Sequence, residues 1–70
     1  MRFKEARKAA GLSQQQVAGQ LGIHQTAISN WEKGKNLPAA TMLVKVSALY
    51  GCSIDELFRN DDEIGVEDPT

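Results

Sequence analysis

Gln25, Thr26, Ser29 and Asn30 are uncharged polar side chains spaced so that a helix would carry them on one face. Together they offer paired amide donors and acceptors, two hydroxyls and a methyl group. Ile28 and Trp31, at i, i+3 spacing, fall on the other face of the same helix. Such a set suits a partner that presents hydrogen-bonding edges in a fixed pattern. Gln can bond adenine through two hydrogen bonds, and Thr can combine a hydroxyl contact with methyl packing on thymine. Catalysis needs other arrangements. No Ser/His/Asp set, phosphate-binding glycine loop or pair of carboxylates on a structured scaffold occurs, so no catalytic residue is assigned and no enzyme is expected. One histidine, His24, and one cysteine, Cys52, fall far below the ligand count of a structural zinc site. No metal or cofactor is expected.

The elements that must position these side chains are written into residues 14–33 and their approach. Ser13 followed by Gln16 is a capping box, with Leu12 and Val17 placed as the hydrophobic staple around it. The helix that follows shows Val17, Ala18 and Leu21 on its apolar face and stops at Gly22, which tolerates the left-handed conformation of a tight turn. Ile23 plugs the corner, and the helix carrying the polar face begins. Small Ala18 fits a close helix crossing, while Ile23, Ile28 and Trp31 fill the wedge. This is the pattern of a helix-turn-helix. A helix about 10–12 Å across can enter a major groove about 12 Å wide, and its first turn goes deepest. Gln25 and Thr26 are therefore expected at base edges, with Asn30 one turn later and Ser29 beside it. Lys33, Lys35 and Asn36 flank the far end of that helix and are expected at phosphates. Each lysine taken singly is also readable as an ordinary solvated charge.

Along the whole chain the periodicity predicts an all-α fold of five helices over residues 3–10, 13–21, 24–33, 39–50 and 53–59. Phe3, Ala6, Arg7 and Ala10 share the inward face of the first, and Gly11 ends it. Gly34 stops the third, and Lys35-Asn36-Leu37-Pro38 leads into the fourth. Ala40, Leu43, Val46, Ser47 and Tyr50 are the core positions of the fourth, closed by Gly51. Ser53 with Glu56 forms a second capping box, and the fifth helix buries Leu57. No strand signal, repeat or low-complexity segment is found.

The stretches LSQQQVAGQLG, ISNWEKGKNLP and GCSIDELF, in this order and spacing, resemble the Cro and phage-repressor type of helix-turn-helix, also called the xenobiotic-response-element family. The resemblance covers residues 3–58. It implies a compact five-helix, lambda-repressor-like domain with the helix-turn-helix at helices two and three, and a regulator that represses as a dimer on a palindromic operator. It implies further that Arg7 and Glu32 form a partly buried structural ion pair, which keeps Arg7 away from DNA, and that Gln14 bonds a phosphate at the positive end of its helix. Two positions depart from the pattern. His24 stands at an N-cap where Ser or Thr is usual, and Ala39 replaces a common capping serine. His24 has two readings, an exposed cap residue or a phosphate or base contact that strengthens on protonation. Cys52 falls where the family has a buried aliphatic, so it is expected to be a core thiol.

The charge is divided. Seventy residues have a formal net charge of −1, yet residues 1–60 carry all eight basic residues against four acids, a net +4. Residues 61–70 carry five acids and no base. The first part is expected to be the DNA-binding domain, with double-stranded DNA as partner, and the second a disordered acidic tail. A protein partner docked through Ile64 and Val66 of that tail, as in an antitoxin-like regulator, is the alternative reading. Leu49 and Phe58 are the expected dimer contacts. No stretch reads as a signal peptide or membrane span, and a lone cysteine rules out an internal disulfide, so a cytoplasmic setting is expected, which the resemblance implies to be prokaryotic or phage.

Overall fold

Phe3, Val17, Ala18, Ile28, Trp31, Val46, Tyr50 and Leu57 are the apolar residues that the fold buries, and each helix supplies at least one of them. A computed structural model describes residues 1–59; the acidic segment 61–70 lies outside the described residues. The helices are α1 (Phe3–Ala9), α2 (Gln14–Leu21), α3 (Gln25–Lys33), α4 (Ala40–Tyr50) and α5 (Ile54–Phe58). No strand occurs among the described residues. The all-α, five-helix expectation is met, with boundaries one residue shorter at several ends. Ser13, His24, Ala39 and Ser53 have extended backbones and cap the helices instead of opening them.

Local chemistry accounts for most of these ends. At α2 the capping box is complete: Ser13 Oγ accepts the Gln16 N–H at 3.0 Å, and Gln16 Oε1 accepts the Ser13 N–H at 2.8 Å. At α5 only half of the expected box is made, because Ser53 Oγ accepts from the Glu56 N–H at 3.1 Å while Glu56 keeps its carboxylate exposed in solvent. His24 and Ala39 make no side-chain cap bond. Gly22, at φ 70°, ends α2 in the left-handed region, and the Ile23 N–H closes the turn on the Ala18 carbonyl at 3.1 Å. A side chain at Gly22 would meet no neighbour, so the glycine is there for its backbone freedom.

The aromatic centre ties the elements together. The Phe3 ring lies 6.2 Å from Trp31 and meets Phe58 edge-on at 5.8 Å. The Arg2 N–H bonds the Leu57 carbonyl at 2.8 Å, so the entry to α1 is fixed on α5. Two expected core positions are corrected. Ala10 is exposed because α1 ends at Ala9 and the chain turns away at Gly11, φ 76°. Ala40 is exposed because it opens the first turn of α4 at the flank of the Leu43, Val46, Tyr50 stripe, beyond the reach of the other helices. Phe58 is not spare for a dimer contact as expected: it is half-buried and packs on Phe3, and half-buried Leu49 also lies against the core. Cys52 is half-buried against the core, where burial pushes its thiol pKa up, with Glu56 adding to the effect. Among the described residues no helix is long and apolar enough to cross a membrane.

Candidate nucleic-acid interface

The site begins with a buried clamp beneath it. The Arg7 guanidinium donates to Glu32 through Nε at 2.6 Å and a terminal nitrogen at 3.2 Å, and its other terminal nitrogen donates to the Leu12 carbonyl at 2.9 Å. Both side chains are at most one-tenth exposed. A planar fork held at all three nitrogens fixes α1, the α1–α2 turn and α3 relative to one another. The hydrogen bond to Glu32 raises the Arg7 pKa against the opposing effect of burial, so the guanidinium stays charged. The ion pair that the resemblance implied is present.

The clamp continues to the surface. Gln14 Nε2 donates to Glu32 Oε1 at 2.9 Å, and Gln25 Nε2 donates to Gln14 Oε1 at 3.3 Å. A chain of hydrogen bonds thus runs from buried Arg7 to Gln25 in the first turn of α3. Sequence reasoning gave Gln14 a phosphate and did not find its bond to Glu32. The amide retains one N–H for an external acceptor. The spacing of Gln14 and Glu32 carries no signal for that bond, which depends on how closely α2 crosses α3.

Above the clamp, Gln14, Gln25, Thr26, Ser29, Asn30, Lys33 and Lys35 line one open groove of about 460 Å³. Every residue expected at base edges is in it, together with both expected phosphate lysines and Gln14. Thr26, Gln25, Lys33 and Lys35 are exposed; Ser29 and Asn30 are half-buried on the side nearer the body. Gly34, φ 78°, ends α3, and the Lys35 N–H then bonds the Asn30 carbonyl at 2.9 Å. This turn brings Lys35 back beside the groove. His24 and Asn36 are exposed but do not line it. His24 sits exposed at the N-cap without a cap bond, a placement that fits both of its readings.

A second depression of about 210 Å³ adjoins the first, sharing Gln14, Ser29 and Lys33 and adding Lys4, Arg7 and Glu32. Lys4 had no role in the sequence reading. The signal was available: once Arg7 is assigned to α3, the residue one turn earlier on α1 must also lie beside α3. Another hollow, about 590 Å³, lies between α1 and the α4–α5 turn and shares no lining residue with the groove. Among the described residues no group of three or more metal-ligating side chains is assembled.

The matches to known proteins run through the same residues. A helix-turn-helix family model matches residues 3–57. The HTH-type transcriptional activator BcrR of Enterococcus faecalis is 36% identical over 63 residues, 90% of this chain and 31% of that protein. The HTH-type transcriptional regulator ImmR of Bacillus subtilis is 39% identical over 61 residues, 87% of this chain and 48% of its own length. The cryptic phage CTXphi transcriptional repressor RstR of Vibrio cholerae is 39% identical over 56 residues, 80% of this chain and 50% of its own. The chain thus spans between about a third and a half of these relatives. With the family model covering α1 to α5 and the helix-turn-helix geometry of α2 and α3 in place, the chain belongs to the Cro and phage-repressor type helix-turn-helix family.

Proposed function

We propose that the protein is a sequence-specific, double-stranded-DNA-binding transcription regulator, not an enzyme, that inserts α3 into the major groove and represses by occluding promoter DNA as a dimer on a palindromic operator. One observation carries this reading: Gln25, Thr26, Ser29 and Asn30 converge in a single groove flanked by Lys33 and Lys35. Amides and hydroxyls that can read base edges are thereby joined to charges that can hold the backbone. In this docking Gln25 and Thr26 meet bases first, Ser29 and Asn30 follow, and Gln14, Lys33 and Lys35 bond phosphates. His24 and Asn36 are flanking phosphate contacts of lesser weight, since neither lines the groove.

Both regulatory senses occur among the relatives, where BcrR is named an activator and RstR a repressor. Occlusion is the sense proposed here because it asks for no contact beyond the α3 docking itself. Selection of bound sites from random duplex DNA tests the reading. The expected result is an enriched palindrome whose half-sites lie about one helical turn apart. Recovery of unenriched DNA, bound only at low salt, would replace specific regulation with nonspecific electrostatic binding.

A further inference from the structure

The ion pairs of the described residues leave the recognition face uncompensated. Glu32 is taken by Arg7, and Asp55 by Arg59 at 3.2 Å. Glu5 and Glu56, the other acids of residues 1–59, line the hollow between α1 and the α4–α5 turn, away from the groove. Lys4, Lys33 and Lys35 are exposed around the two adjoining depressions of the recognition face, and none has an ion pair among the described residues. Among the described residues no element covers the outward side of α3. The same chain carries Asp61, Asp62, Glu63, Glu67 and Asp68, with no base among residues 61–70.

We propose that the acidic segment 61–68 docks on the α3 recognition face of its own chain, its carboxylates on Lys4, Lys33 and Lys35, and competes there with the phosphates of DNA. Charge complementarity selects this occupant, because carboxylate and phosphate oxygens satisfy the same lysine donors. The length is of the molecule's own scale: the nine Cα–Cα steps from Arg59 to Asp68 span up to about 30 Å when extended, against molecular extents of 39, 22 and 19 Å. Tethering supplies a local concentration on the order of millimolar, so pairs that are individually weak at an exposed surface suffice to populate the contact. The competition with DNA rests on the function proposed above; the docking does not.

The docking has a signature in salt. Screening releases the segment, so its cost to DNA binding is largest at low salt and vanishes at high salt. DNA affinity of the wild-type chain therefore falls less steeply with salt than that of a chain whose segment is neutral. Long-range repulsion of DNA by an undocked segment also fades with salt, and a measurement without DNA has to separate the two.

A paramagnetic label at Val66→Cys in a Cys52→Ala background, on the full chain without DNA, is expected to broaden the amide resonances of Thr26 to Lys35 at low salt and to leave them sharp at about 0.5 M salt. Sharp resonances at low salt overturn the proposal. Broadening seen equally when label and isotope are on separate chains overturns the intramolecular form and assigns the contact to a second copy. The second arm replaces the five acids with Asn or Gln. At low salt DNA affinity is expected to rise about tenfold, with both chains converging as salt is raised. Docking without any affinity change overturns the competition. If neither chain binds duplex DNA while the broadening persists, the DNA-regulator reading fails and the docking stands.

Discussion

At the scale of single residues, the polar groups on α3 and the phenol of Tyr50 face opposite demands. Gln25 and Asn30 can each present a donor and an acceptor to a base, whereas Lys35 offers only charge. Gln25→Ala or Asn30→Ala is therefore expected to weaken the selected site by about 1–3 kcal/mol and random DNA far less. Lys35→Ala should weaken both similarly and reduce the salt slope by about one unit. Binding titrations of the variants on both duplexes check this pattern; wild-type affinity of the Gln25 and Asn30 variants for the selected site would mean that α3 is not the reading helix. Tyr50 is almost fully buried, and its hydroxyl has no partner among the described residues. Burial pushes its pKa up to about 12, with Glu32 adding to the effect and Arg7 opposing it. The folded state thus favours the neutral phenol more strongly than the unfolded chain, whose tyrosine titrates near pH 10. Stability from this difference is fully present below pH 10 and is lost as pH rises from about 10 to about 12. Tyr50→Phe removes an unsatisfied donor, so at pH 7 it should leave stability unchanged or raise it by about 1 kcal/mol. Denaturant melts from pH 7 to 11 should also show a smaller alkaline loss in Tyr50→Phe than in wild type. A large loss at pH 7 would mean that the hydroxyl has a partner.

At the scale of the elements, what was legible in the sequence is what depends on local rules. The Ser13 to Gln16 box, the glycine after each of the first four helices and the inward stripe of Ile28 and Trp31 act within a few residues, and each is found where expected. Ala10 and Ala40 were misplaced because small residues at helix ends fit the apolar period whether or not another helix lies above them. The groove was legible through α3 alone; Lys4 and the Gln14 bond to Glu32 were missed because they depend on the crossing of different helices. The Arg7 and Glu32 clamp was legible only through the family resemblance, since 25 residues separate its partners. Its energetics yield an element-scale prediction. Arg7→Ala or Glu32→Ala strands a mostly buried charge and should cost about 3–5 kcal/mol, with DNA binding lost as a consequence. Replacing both with Met should cost clearly less than the two single losses summed, because no stranded charge remains. Denaturant melts of the single and double variants measure the coupling. Single variants melting like wild type would reduce the clamp to an exposed pair of little worth.

At the scale of the whole molecule, one groove with a handful of polar contacts is too small to pick an operator from a genome, and two-fold pairing is the usual way of doubling it. The packing of Leu49 and Phe58 on the core shifts attention to the apolar side chains that remain exposed. Leu37 is 50% exposed and Val44 60%, on the loop after α3 and the outer face of α4. Neither is held by the core, and both are open to a second copy. Geometry allows a test that does not require the interface to be known. Two α3 helices fixed about 34 Å apart would read half-sites separated by one turn of DNA, about 10.5 base pairs. Inserting about 5 base pairs between the selected half-sites turns one of them to the opposite side of the duplex, while inserting about 10 restores the facing at a longer distance. Affinity for the 5-base-pair insertion should fall to that of a single half-site, and sedimentation of the complex on the intact operator should give two chains per duplex. Equal affinity for the intact operator, the insertion and an isolated half-site would instead mean that each chain reads DNA alone, with specificity resting entirely on the groove of one α3.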